Sequence, residues 1–277
     1  MNYDYAIHSD FLIHWTGNDI DSVYDQQWFE SDRSRTNKNC DVTDRYLKRL
    51  YDILQFGIWM TSEYESPFCV NGNPVQIPST PRSCFTELKL SQSRQHARRY
   101  GRLGIGFKRL FVIQRSGRPV IYYGLHKDKK EDIFLEQCAR DFKDKGLLNF
   151  FKPMNSLTEL NYDYYSESEW RILYFEELLT KRLIIDPRDS KNTKEYAYYQ
   201  SLTEEAKNKL KYLIPLDGWF AMLIYPSLNV KNESQCGSVY NIQSEIERIK
   251  NNPKDHAYKV EYINWPIELD LDACRNF

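Results

Sequence analysis

An α+β fold is predicted by three features of the chain. Strand-like and helix-like periods succeed one another without the strict βαβ alternation of a doubly wound parallel sheet. The one glycine-rich run, YGRLGIGF at residues 100–107, follows a helical pattern and leads into a β-rich segment. That is the reverse of a dinucleotide-binding turn, which follows a strand and opens a helix. The composition, 41% hydrophobic and 28% charged over 277 residues, is that of a water-soluble globular protein long enough to bury a core, as one large domain or a domain with an appended subdomain.

Each element follows from local pattern. Residues 11–15, FLIHW, read as a short buried strand ended by Thr16-Gly17. Residues 41–56 place Val42, Tyr46, Leu50, Ile53 and Leu54 at helical spacing, between an Asp41 cap and Gly57 at the C-terminal cap position. Strands are predicted at 58–61 and 83–88, then a short basic helix at 91–100 that stops at Gly101. Strands at 103–113 and 119–123 flank an Arg115-Ser116-Gly117-Arg118 turn and read as a hairpin. A charged helix near 128–143, a loop around Pro153 and a long strand over SESEWRILYF at 166–175 come next. The remainder reads as a strand at 182–185, a polar helix at 203–212, an apolar strand at 219–225, an amphipathic helix at 239–250 and a closing strand at 258–263.

Charge, cysteine usage and hydropathy narrow the class. The longest nearly apolar stretch, residues 219–225, is far shorter than the roughly 20 residues a membrane-spanning helix requires, so no membrane association is expected. The acidic first ten residues do not read as a secretory signal, which makes a cytoplasmic location the expectation. Six scattered cysteines have neither paired zinc-site spacing nor the density of a disulfide scaffold, so no metal is expected. Basic and acidic residues balance, 38 against 39, but unevenly along the chain. Residues 1–32 carry seven acids and no Lys or Arg, whereas residues 88–127 carry ten Lys or Arg and no acid. That middle stretch reads either as a phosphate- or acidic-partner-facing surface, including one for nucleic acid, or as a solvated basic face.

Two features could carry chemistry. On a strand through residues 166–175, Glu167, Glu169 and Arg171 share one face. This is either a solvated edge with a cross-linked ion pair or the mouth of a cleft, since Leu173 and Phe175 continue the same face. His14 ends an otherwise apolar strand, a place where imidazoles serve structure more often than catalysis.

The ordered motifs HWTG, ILQFGIW, RSCFTEL, QHARRYGRLGIGF and SEWRI, through most of residues 11–175, resemble the AbiGi-type abortive phage-infection proteins of bacteria, whose members are described as antitoxin components of phage-resistance systems. The resemblance implies a partner toxin or antitoxin. More distantly, the His-x-Thr segment, the Ile-Leu-x-x-Gly helix exit and a late Glu resemble ADP-ribosyltransferases of the poly(ADP-ribose) polymerase and DarT type. This second resemblance implies a split, mostly antiparallel sheet with flanking helices, a core at 1–190 and an α/β extension at 191–277, and NAD as substrate. Carried over by motif, His14 and Thr16 match the ribose-binding segment and Glu169 the late Glu, with Glu167 completing a Glu-x-Glu pattern. Cys84 stands where the stacking Tyr is expected, leaving Tyr100 or Phe85 for that role, and Arg98, Arg99 and Arg102 for the pyrophosphate. His14 and Glu169 are then expected on neighbouring strands facing one cleft.

In this reading Glu169 stabilises positive charge on the ribose and Glu167 orients or deprotonates an acceptor, protein or nucleic acid. The alternative is a non-catalytic antitoxin that keeps a nucleotide-binding fold and holds a toxin. A nuclease, resting only on Glu87-Leu88-Lys89, comes third, because no neighbouring acid completes a metal pair.

Overall fold

The computed structural model describes residues 10–21, 42–62, 68–70, 73–87, 90–124, 133–154, 164–236, 239–251, 265–271 and 273–276. Strand β1 (Phe11–Thr16) leads through helix α1 (Asn18–Asp21) to the long helix α2 (Val42–Phe56), followed by β2 (Ile58–Thr61), the small hairpin β3 (Phe68–Val70) and β4 (Asn73–Val75), and β5 (Arg82–Thr86). Helix α3 (Ser93–Tyr100), β6 (Leu103–Lys108), α4 (Arg109–Gln114), β7 (Arg118–Pro119), β8 (Ile121–Tyr123), α5 (Ile133–Asp141), β9 (Phe151–Pro153) and β10 (Glu169–Leu173) come next. The remaining elements are α6 (Glu176–Thr180), α7 (Thr193–Gln200), α8 (Glu204–Lys209), β11 (Leu210–Ile214), β12 (Phe220–Tyr225), α9 (Leu228–Gln235), α10 (Ile242–Lys250) and β13 (Ile267–Asp270).

The result is an α+β fold around one large, mostly antiparallel sheet of order β11-β2-β5-β1-β6-β12-β13, with β10 and β7 attached through β5. Among its described strands only β12 and β13 run parallel to each other. Residues 191–277 supply β11, β12 and β13 to this same sheet, so both segments of the sequence share one core.

Strand β5 has three partners for two edges. Along one edge β10 pairs with it from Glu169↔Thr86 to Leu173↔Arg82. The other edge is divided: β1 meets it at Ile13↔Thr86 and β2 meets it at Thr61↔Arg82. Between those contacts the sheet splits, and the backbone there must find other partners or remain unsatisfied. The imidazole of His14 enters the gap, its Nδ1–H donating to the Cys84 carbonyl at 2.9 Å.

Packing on the two faces explains the helices. Tyr46, Leu47, Leu50, Ile53 and Leu54 of α2 form a buried stripe that meets Ile242, Ile246 and Ile249 of α10 over one face of the sheet. On the other face α3 lies over Ile13, Trp15, Met222 and Ile224. A third cluster, with Ile77, Tyr123, Leu135, Leu148 and Phe151, belongs to a satellite unit in which β8 and β9 pair in parallel beside α5.

Several local readings change in three dimensions. The apolar run at 103–113 is not one strand: β6 ends at Lys108 and Arg109–Gln114 turn helical, burying Phe111 and Val112 while Leu110 and Ile113 stay exposed. A short apolar run cannot be assigned by periodicity alone, and here Phe111 stacks on Phe107 at 4.0 Å. The expected hairpin does not form, because β7 pairs with β10 and β8 with β9. The strand expected at 182–185 is reduced to a bridge from Ile185 to Leu213, and the polar helix at 203–212 gives way at Leu210 to β11. Helices α7 and α9 lack a strong apolar stripe and escape the sequence pattern. The strand expected at 258–263 lies outside the described residues.

Gly101 joins α3 to β6 with φ +107°, and a Cβ there would fall 2.2 Å from the Asn18 nitrogen and 2.3 Å from the Thr16 carbonyl. Gly101→Ala therefore combines left-handed strain with a backbone clash, and should destabilise the protein by well over about 1 kcal/mol in a denaturant titration. A change smaller than that would mean that α3 and β1 are not held at this crossing.

Candidate functional site

A cleft of about 310 Å³ opens where the sheet splits, lined from β1, β5, α3, β9 and β10 together with the turn before β10. Cys84, Thr86, Glu169 and Arg171 share one sheet face, as the pairings Glu169↔Thr86 and Arg171↔Cys84 require. His14 follows Ile13, which pairs with Thr86, so alternation starts it on the opposite face. It reaches the cleft because β1 parts from β5 immediately after Ile13. His14 and Glu169 thus line the same cleft on strands that flank β5, instead of on the neighbouring strands expected.

The carboxylates are buried and densely paired. Glu167 is not on the strand: it ends a 3₁₀ turn, and Ser168, with φ 45°, redirects the chain into β10. Its Oε1 accepts a very short hydrogen bond from the Tyr100 hydroxyl and its Oε2 accepts one from Lys152 Nζ at 2.6 Å. Glu169 takes Arg171 Nε at 2.7 Å on one oxygen and Lys152 Nζ at 2.7 Å on the other. Burial opposes its ionisation, but Arg171 and Lys152 outweigh burial and hold the carboxyl well below the usual carboxylate range. Burial likewise works against the Lys152 ammonium, and Glu169 and Glu167 more than offset it, so that its pKa is raised. The two acids and the guanidinium expected on one strand face therefore form an interior charge network, with Glu167 and Arg171 each 2% exposed, and not a solvated edge.

The satellite unit supplies part of this network. Lys152 comes from β9, the Tyr122 hydroxyl of β8 accepts the Glu169 backbone N–H at 3.0 Å, and the Asn149 carbonyl accepts a bond from Arg171. The Asn149 side-chain oxygen also accepts Arg82 Nη1 at 3.1 Å. Lys152 and Asn149 carried no recognisable pattern in the sequence. Only the docking of the satellite unit onto β10 brings them here.

The cleft is cationic on balance. Arg82, Arg99, Lys152 and Arg171 face two carboxylates, and desolvation pushes His14 down to about 4, leaving it neutral near pH 7. With its proton on Nδ1, His14 keeps Nε2 as an acceptor. The Cys84 thiol, open to the cleft, is pushed up by desolvation and by Glu169, to which it donates, and so stays protonated.

Other residues of the proposed set lie elsewhere. Phe85 is 1% exposed and packs edge-on against Phe107 and Phe111; its ring lies 5.7 Å from that of His14 but does not line the cleft, which leaves Tyr100 as the cleft aromatic of that pair. Thr16 does not line the cleft; its hydroxyl accepts Arg49 Nη1 at 3.2 Å, and Arg49 is paired with buried Asp19 at 2.7 Å. Arg98 is exposed and Arg102 sits over the Tyr46 ring, neither lining the cleft. The basic stretch 88–127 is dispersed: Arg115 is buried against Asp217, Arg109 pairs with Glu87, and Arg99 enters the cleft. Leu88, Lys89 and Lys127 lie outside the described residues. Glu87 also accepts the Trp170 indole N–H at 2.9 Å, so both of its oxygens are engaged within the fold. Among the described residues no cluster of His, Cys, Asp or Glu is arranged to hold a metal ion, and no helix is long and apolar enough to cross a membrane.

Two outcomes follow from these pairings. Glu169→Gln leaves Arg171 and Lys152 buried with an uncompensated charge, so it should cost about 3–5 kcal/mol of stability in urea unfolding; a cost under about 1 kcal/mol would mean the network is hydrated. His14 titrates lower in the folded than in the unfolded chain, so its contribution is lost as pH falls from its ordinary value of 6.5 towards about 4. His14→Gln should therefore flatten the acid limb of the stability profile across that window, and an unchanged limb would place the titration elsewhere.

Residues 56–147 match the family model described as "Putative abortive phage resistance protein AbiGi, antitoxin". The match takes in β2, β5, α3 and β6, with Cys84, Arg99 and Tyr100, and leaves His14, Glu167 and Glu169 outside its bounds. No curated protein and no solved structure matches the chain. Over about a third of its length, the chain is similar to the AbiGi phage-resistance family.

Proposed function

We propose that this chain is an abortive-infection protein of phage defence, and that its cleft binds a dinucleotide, with NAD as the ligand and ADP-ribose transfer as the chemistry. One observation carries the reading: His14, Tyr100 and Glu169, far apart in sequence, converge on one cation-rich cleft at the split of the sheet. The AbiGi match supports the phage-defence setting.

The residues present fit such a ligand. The cationic side chains of Arg82 and Arg99 favour an anionic group such as pyrophosphate. His14 Nε2 accepts a hydroxyl proton and Tyr100 offers a ring face near the carboxylates. NAD would supply a glycosidic bond whose cleavage develops positive charge on the ribose. Glu169, kept ionised, places its negative charge for that demand, and Glu167 holds the Tyr100 hydroxyl.

The antitoxin reading also has a specific observation in its favour. Both Glu169 oxygens are already engaged by Arg171 and Lys152, an arrangement suited to a folded core whether or not ligand arrives. In that reading the outer surface holds a toxin and the cleft is silent.

Calorimetric titration with NAD should show binding to the wild-type protein and at least tenfold weaker binding to His14→Ala. Where turnover is measured, Glu169→Gln, verified as folded by circular dichroism, should lower it by at least about a hundredfold and abolish phage protection. No heat at millimolar NAD, with neutralisation of a co-expressed toxin intact in both variants, would establish the antitoxin reading instead.

A further inference from the structure

Lys152 occupies a position that the nucleotide reading does not explain. Its Nζ lies 2.6 Å from Glu167 Oε2 and 2.7 Å from Glu169 Oε2, so the two carboxylates can be no farther apart than those two bonds laid end to end. Two buried carboxylates at such a distance repel strongly unless a cation stands between them. The ammonium does so, and it also lies 4.5 Å from the Tyr164 ring centroid, which leaves it little freedom.

The route by which Lys152 arrives is equally specific. It sits opposite Tyr122 in the parallel pair of β8 and β9, and the two side chains meet the same residue: Tyr122 takes the Glu169 N–H and Lys152 the Glu169 carboxylate. Asn149, three residues earlier, meets Arg171. A unit with its own apolar cluster thus touches the cleft through polar groups at three points.

We propose that Lys152 is a positioning residue, whose bridge holds Glu167 and Glu169 as one fixed pair and thereby ties the geometry of the cleft to the docking of the satellite unit. The inference goes beyond the nucleotide reading and does not depend on which ligand enters. Other groups facing the pair divide unequally. Glu169 keeps Arg171 and the Cys84 thiol when Lys152 is removed. Glu167 keeps the Tyr100 hydroxyl and a longer contact to Arg99 at 3.9 Å, with His96 of the same helix nearby and neutral near pH 7.

The test is the thermal midpoint of Lys152→Met against pH, without ligand. Removal of the bridge leaves like charges face to face, so the loss of midpoint relative to wild type should be large near pH 7.5. It should shrink to less than about half on approach to pH 5, as the pair takes up a proton. The sign follows from linkage: repulsion favours the protonated pair in the folded state, so acidification restores stability. Lys152→Arg should behave as wild type. If Lys152→Met does not fold, Lys152→Met/Glu167→Gln decides, because removal of one carboxylate relieves the repulsion and should recover a folded protein. A loss that is the same at every pH, or a double variant no better than the single one, would reduce Lys152 to a packing residue and overturn the proposal. Failure of NAD to bind would leave this result untouched.

Discussion

The divided edge of β5 is the constraint from which the rest of the molecule follows. A strand has two rows of hydrogen-bonding groups, and buried backbone groups must be paired. One row of β5 is used by β10 along its length, and the other is shared between β1 and β2, which touch it at opposite ends. The gap creates the cleft, and it makes His14 the side chain that satisfies Cys84 across the opening. It also lets residues from both sheet faces meet, which an unbroken sheet would forbid.

Burial of charge is the second organising fact. Isolated ions in a low-dielectric interior are costly, and the chain meets that cost with chains of partners instead of single pairs. Arg171, Glu169, Lys152, Glu167 and Tyr100 form one such chain, Arg49, Asp19 and Thr16 another, and Arg115 with Asp217 and three backbone carbonyls a third. Networks of this kind are intolerant of partial removal, which is why an isosteric change at Glu169 is a structural event as well as a functional probe.

The basic stretch shows how a charge count along a sequence differs from a surface. Its cations serve at least four separate surroundings, among them the core, the cleft, an ion pair with Glu87 and solvent. The cleft gains a cationic balance from two members of the network and from Arg82 and Arg99, of which only Arg99 belongs to the acid-free run. Electrostatic character there is assembled from three dimensions, not inherited from one segment.

The sequence by itself determined the α+β class, the principal helix at α2 and the β1 and β12 strands, and it nominated His14, Glu167 and Glu169 as candidates, although Glu167 leaves the strand face on which alternation placed it. These depend on local period, on turn residues such as Gly57 and Gly101, and on short motifs, all of which act within a few residues. Tertiary structure decided the rest. It sent Phe111 into a helix against Phe107, broke the expected hairpin because β10 and β9 offered better partners, and turned Phe85 into core while Tyr100 turned to the carboxylates. It also brought in Lys152, Asn149 and Tyr122, ordinary residues whose importance lies in where the satellite unit docks. The physical reason is that alternation and periodicity state which face a side chain leaves from, whereas pairing partners, and the charge that must be neutralised at each buried site, are set by strands distant in sequence.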